Sequence, residues 1–488
     1  MRLLLAVLFA TSALAQEVHE HHDIGEVRFP TTCAPASAKI VETGVALLHS
    51  FWYDEAERNF RRAIELDPQC AMAYWGVAMS QYYPLWPTPL TPARLRTGSE
   101  AIAKARTLTG ASPRERAYVD ALSAFYDQPA GTSVHDRAVK YESAMSALAA
   151  QYPDDDEASI FYALALNGAA LPTDKTYARQ KQAAAILNRL LPSHPHHPGI
   201  IHYLIHSDDT PELALLALDA ARVYAKIAPS VPHAQHMPSH IFTRLGLWNE
   251  SVASNLQAAK AAREQHEVDE ELHAMDYLEY AYLQLGRFAD AKRVIGHLRA
   301  MPRLEQVETK TTYAVAAIPA RFALERHDWR AAAALTFAKD IDWSNPRTSA
   351  LTHFAIGIGA ARSGDVDTAK RAESALTKCV EALARDGDAV WRSQVAVQQM
   401  AVAAWRQFAV GHRDEALTLM RSAADEEDRS IKPAVTPGAL LPARELLADM
   451  LLEMNRASDA LIEYKAVLAV APNRRNALEG SKRCDRPR

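Results

Sequence analysis

The chain is short of the features that usually announce a function. Among 488 residues there are only four cysteines and no C-x-x-C pair. H-E-x-x-H, G-x-S-x-G and Walker-type phosphate loops are missing as well, so the common hydrolase, zinc-protease and nucleotide signatures do not apply. Basic charge is not in excess: 54 Lys and Arg face 59 Asp and Glu, giving a net charge of −5 and a pI near 6.4. That balance excludes the positive surface on which nucleic-acid binding depends. After the first residues no run is apolar enough to cross a bilayer, which needs about twenty such residues. Nor is disorder the default, because 49% of the residues are hydrophobic and can bury a core.

What is present begins with "MRLLLAVLFATSALAQ". A single Arg2, an apolar stretch from Leu3 onward and Ala13-Leu14-Ala15 before Gln16 have the pattern of a secretory signal with an A-x-A cleavage site. We expect residues 1–15 to be removed and the protein to be exported, in a bacterium to the periplasm, where thiols oxidise. A polar segment follows over 16–36. Its "HEHHD" (His19 to Asp23) has no visible scaffold and reads as a solvated tail.

The body of the chain repeats. In "GVALLHSFWYDEAERNFRRAIELDP", Gly44, Ala56, Phe60, Ala63 and Pro68 fall at positions 8, 20, 24, 27 and 32 of a 34-residue helix-turn-helix. The same ruler fits Tyr141, Met145, Leu148 and Pro153, then Ala183, Leu187, Leu190 and Pro195, then Ala217, Ala221, Tyr224 and Pro229. Ser251, Asn255 and Ala258 continue it, and Ala460, Tyr464, Val467 and Pro472 end it. These spacings resemble the tetratricopeptide family, and the resemblance implies an all-α, tetratricopeptide-type α-solenoid of about ten units over 37–474. Weak units are expected near 95–135, an insertion at Tyr82 to Leu95, spacers near 266, 306 and 385, and a polar capping helix and tail over 475–488. Cys33 before the first helix and Cys70 after the second should meet in a disulfide across the opening hairpin; Cys379 and Cys484 have no such partner.

Eight of the nineteen histidines lie between His194 and His240. The family resemblance implies a concave face lined by first-helix positions 2, 5, 9, 12 and 13. His202 and His206 take positions 5 and 9 of one unit, and His236 and His240 take 5 and 9 of the next. His233 and His273 take position 2 in successive units, and Asp276 and Tyr280 follow at 5 and 9. Residues four apart share a helix face about 5–6 Å apart, and neighbouring helices pack about 8–10 Å apart. Four imidazoles should therefore converge on a shared point, and six suffice for two metals. Imidazole ligands suit copper, zinc or iron. Asp209 and Asp276 are candidate carboxylate partners for the imidazoles. Pro238 should either start a helix or kink one between His236 and His240. Arg321, one unit after Tyr280, is a candidate for binding a substrate carboxylate or phosphate.

Stretches such as "LLHSFWYDEA", "HPGIIHYLIHSDDTPELA", "PHAQHMPSHIF" and "HAMDYLEYAYLQLG" resemble a widespread group of His-rich bacterial tetratricopeptide proteins. That resemblance implies a shared groove design including His49, Trp75 and Met79, and no particular reaction. Two expectations follow. One is a metal-dependent enzyme, hydrolytic or oxidative, with Asp276, Tyr280 and Arg321 around a small molecule or peptide in the groove. The other is a non-enzymatic groove that captures a peptide or stores metal.

Overall fold

The computed structural model describes residues 23–85, 90–301, 309–339, 341–430, 432–433 and 435–485. The signal segment, His19 to His22 and the spacer near 306 lie outside them. The described residues hold 24 α-helices and one short 3-10 turn, with no strand. The helices pair in order, from Pro35–His49 with Tyr53–Leu66 to Ala443–Glu453 with Ala457–Val470. Eleven hairpins result, followed by the single helix Arg475–Cys484. The chain is thus an α-solenoid of tetratricopeptide type. The weak region contributes full helices, Pro92–Thr107, Pro113–Tyr126 and Val134–Gln151. Local signals suffice there: Pro113 opens its helix behind a capping box between Ser112 and Glu115.

Small residues set how closely hairpins approach. A Cβ on Gly44 would lie 2.7 Å from the Phe60 ring, and one on Gly76 would lie 2.2 Å from it. One aromatic side chain therefore wedges between two first helices that only glycine allows so near. The two arms of a hairpin bury different amounts of themselves. Val268–Gln284, a first helix, is buried continuously from Glu271 to Gln284. Ala178–Leu190, a second helix, buries only Ala183, Ala184, Leu187 and Leu190. First helices are therefore sandwiched, and second helices show water one face.

The ends of the array are tied down. Phe29 stacks on Trp75 and meets Tyr118 edge-on, and Thr32 donates from its backbone and its hydroxyl to Glu115. Cys33 and Cys70 are bonded, with Cα atoms 4.7 Å apart, and Cys379 and Cys484 are free. At the other end the polar capping helix is present, but its start is docked. Trp248 Nε1 donates to the carbonyl of Asn473 at 3.0 Å, and the backbone N–H of Arg475 to Gln284 at 2.9 Å. Gly246, at φ +66°, takes the Pro472 carbonyl where any Cβ would sit 2.1 Å from it. Arg474 is fully buried between Glu325 and Glu445. The last hairpin thus packs on units some two hundred residues earlier.

Between Arg413–Arg429 and Ala443–Glu453 the chain crosses the inner face as a strap. Tyr277 donates to the Thr436 carbonyl at 3.0 Å, and Arg321 to the carbonyls of Gly438 and Ala439 at 3.4 and 3.2 Å.

Candidate metal centre

Three consecutive first helices, the middle one broken into two segments, carry the histidines. His202 and His206 lie on Pro198–Asp208, His233 and His236 on Pro232–His236, His240 on Pro238–Arg244 and His273 on Val268–Gln284. Pro238 opens a new helix, the first of the two expected outcomes, and Met237 before it keeps helical angles (φ −54°, ψ −35°), so the chain holds its helical path across the break. His236 and His240 still share a face.

The six rings assemble as two groups of three. His202, His206 and His233 form one, and His236, His240 and His273 the other, with candidate ligand nitrogens within 4.8 Å of one another in each. The pattern is the same twice: positions 5 and 9 of one unit, with position 2 of the next. A single point shared by four rings, as the sequence suggested, is not formed, because position 2 of the next unit comes closer to each pair than the neighbouring pair does. The groups adjoin, with His206 and His240 ring centres 6.5 Å apart.

The partners of the outer nitrogens fix the tautomers. His202 Nδ1 donates to the carbonyl of His49 at 2.7 Å. His240 Nδ1 donates to Asp209 at 2.9 Å. Asn255 donates its amide to the Ser251 carbonyl, so its oxygen accepts from His236 Nδ1 at 2.7 Å. Each of these rings therefore points a bare Nε2 lone pair inward. His236 Nε2 and His240 Nε2 face each other at 3.1 Å with no proton between them. Such a contact repels unless a cation stands there. Two nitrogens about 2.0–2.1 Å from one ion and this far apart subtend about 100°, near tetrahedral. His202 Nε2 and His206 Nε2 are 3.0 Å apart.

A proton does not serve instead. Burial holds the imidazoles of His202, His206, His236 and His273 well below their usual range, helped by neighbouring histidines, and brings His240 down to about 4. Neutral rings are the form that binds metal. Each group also has an aromatic cover. Phe51 lies against His202, His206 and His233 at 4.4–5.8 Å, and Tyr277 stacks on His240 at 4.9 Å and meets His236 edge-on at 4.7 Å.

A third cluster, His49, Glu157 and His197, is already satisfied. Both rings donate to Glu157 at 2.9 Å, His49 Nδ1 accepts from Tyr203, and His197 Nδ1 caps Ile200. This clasp places the His49 carbonyl under His202.

The other expected residues are placed differently from the histidines. Arg321 is fully buried, with Asp276 at 3.3 Å and Glu279 at 3.9 Å, and the strap covers it. It is a buried ion-pair partner, away from any open face. Asp276 is buried with it, and burial pushes its carboxyl up. Tyr280 accepts from Arg474 at 3.1 Å and borders the interior cavity. That cavity, about 770 Å³, touches the histidines through His206, with Asp209, Arg244 and Lys432 beside it.

Sequence reasoning missed Phe51, Tyr277, Lys432 and the role of Asn255. Asn255 had a signal: it fills position 24, where other units place Phe60, Leu187 or Tyr464. A polar side chain at a packing position marks a hydrogen-bonding duty. Lys432 had none, since it lies between repeats.

No protein-family model matches the sequence, and no curated protein matches it at a significant level. Similar solved structures are repeat proteins. Cut9, in the APC/C hetero-tetramer Cut9-Hcn1, is 12% identical over 92% of this chain and 76% of that one, at a TM-score of 0.39. Yeast Tom70 is 13% identical over 92% and 95%, at 0.37, and the TPR domain of P58(IPK) is 13% identical over 92% and 97%, at 0.22.

Proposed function

We propose that the protein is an exported solenoid holding transition metal in its two three-histidine groups, and that it is a metal-dependent enzyme acting on a small molecule. The facing lone pairs of His236 and His240, with both tautomers fixed from outside, carry the metal reading. No thiolate is at hand, so copper, zinc or iron fits the all-imidazole set. Zinc would support hydrolysis by polarising water, and copper or iron would support oxidation. The cavity at His206 supports an enzyme over an adaptor, because the strap closes the face on which a peptide would lie. The signal-like N-terminus and the Cys33–Cys70 bond support export.

Elemental analysis of protein purified from its native compartment is the test. Two metals per chain are expected. The pair H202A/H206A should lose one and H236A/H240A the other, with helix content unchanged. Full occupancy in both double variants would overturn the site, and metal released by chelator without loss of any turnover would leave storage.

A further inference from the structure

Resting on that reading, the cavity beside His206 has a charge imbalance. Asp209 accepts from Arg244 Nε at 2.8 Å and from His240 at 2.9 Å, and Lys432 Nζ stands 3.8 Å away. One carboxylate thus faces two fixed cations. The next carboxylate, Asp276, is committed to Arg321 at 3.3 Å, and Glu279, 3.9 Å from the same guanidinium, adds no charge because burial pushes its carboxyl well up toward the neutral form. At this end a positive charge is left over, and every divalent ion held by neutral imidazoles adds two more. An uncompensated charge under cover is costly, and the open side is the cavity. The volume suits a drug-sized molecule and no folded partner.

Lys432 Nζ is held by the Thr436 carbonyl at 2.6 Å. Elsewhere the lining carries Tyr313 and Trp391, ring centres 5.9 Å apart, beside Gln394, Gln398 and Arg347, whose guanidinium is already paired to Asp388 at 2.7 Å. Leu351 and Phe354 continue that lining. We infer that the cavity binds a small amphipathic anion: a carboxylate or phosphate between Lys432 and Arg244 at His206, with an aliphatic or aromatic body along Leu351, Phe354 and Trp391. The anion-binding duty expected of Arg321 falls instead to Lys432 and Arg244.

Calorimetric titration of the mature protein, apo and zinc-loaded, with octanoate, octyl phosphate, octanol, octylammonium and acetate tests this. At least one of the two octyl anions should bind at least tenfold tighter than octanol or octylammonium, and acetate at least tenfold weaker than octanoate; the octanoate to octyl phosphate ratio identifies the head group. K432M should weaken the anions about tenfold, leaving octanol binding and metal content unchanged, whereas W391A should weaken octanoate and octanol alike. Octanol or octylammonium binding as tightly as both anions, or acetate matching octanoate, would overturn the inference, as would K432M binding octanoate normally. Metal content is read separately: an apo protein that never takes metal refutes the proposed function, while its preference among the octyl probes still decides the sign of the cavity.

Discussion

His236 and His240 show how much a single hydrogen-bond acceptor decides. Without Asp209 and Asn255 outside, either ring could turn its proton inward and close a neutral N–H···N bond, and the pair would need no metal. Burial works on other groups in the same interior. Glu427, beside the cavity, is pushed up to about 7, by burial first, although the Ala443 N–H donates to it. A carboxyl whose folded pKa is raised binds more protons folded than unfolded, so it supports stability at low pH. That support is lost as pH rises from about 4.5 to about 7 and stays lost above. E427Q should therefore match the parent at pH 4 and exceed it at pH 8 by about 1–2 kcal/mol, discounted for its partial exposure. Melting curves at the two pH values check it; equal stability at pH 8 would show that the carboxylate is not penalised.

Among elements, the hairpin is the unit that both builds and tethers. The opening hairpin is closed by Cys33 and Cys70, 37 residues apart, and restraining a loop of that length is worth about 3–4 kcal/mol in the chain-entropy model. C70S should lower the urea-unfolding free energy by that order, and thiol titration of the denatured parent should count two free cysteines. Four would refute the bond. The broken helix around Pro238 is the other informative element. Proline removes one backbone bond there, yet Met237 stays helical, so the position 2, 5 and 9 pattern survives the break and His233, His236 and His240 serve two adjacent groups.

For the whole molecule, closure matters more than repeat count. Arg474 joins the last hairpin to the middle of the array through Glu325, Glu445 and Tyr280. Its replacement by methionine strands two buried carboxylates, and a loss of about 3–5 kcal/mol is expected on breaking such a pair from one side. Urea unfolding at pH 8 measures it, and the loss should shrink at pH 5, below the pKa of the Glu445 carboxyl, which burial pushes up to about 7. An unchanged midpoint at both would mean that the closure contributes nothing.

Sequence alone determined the hairpins, because position 8, 20, 24 and 27 residues are local packing rules repeated down the chain. It also placed Cys33 beside Cys70 and six histidines on first helices, since helical period fixes which residues share a face. The division of those histidines into two threes came from the offset between neighbouring units, which periodicity within one unit does not contain. Lys432, Phe51 and the strap over Arg321 were decided by tertiary structure only. They reach the site from turns and connections, whose paths follow from what the rest of the solenoid leaves uncovered and not from any repeat.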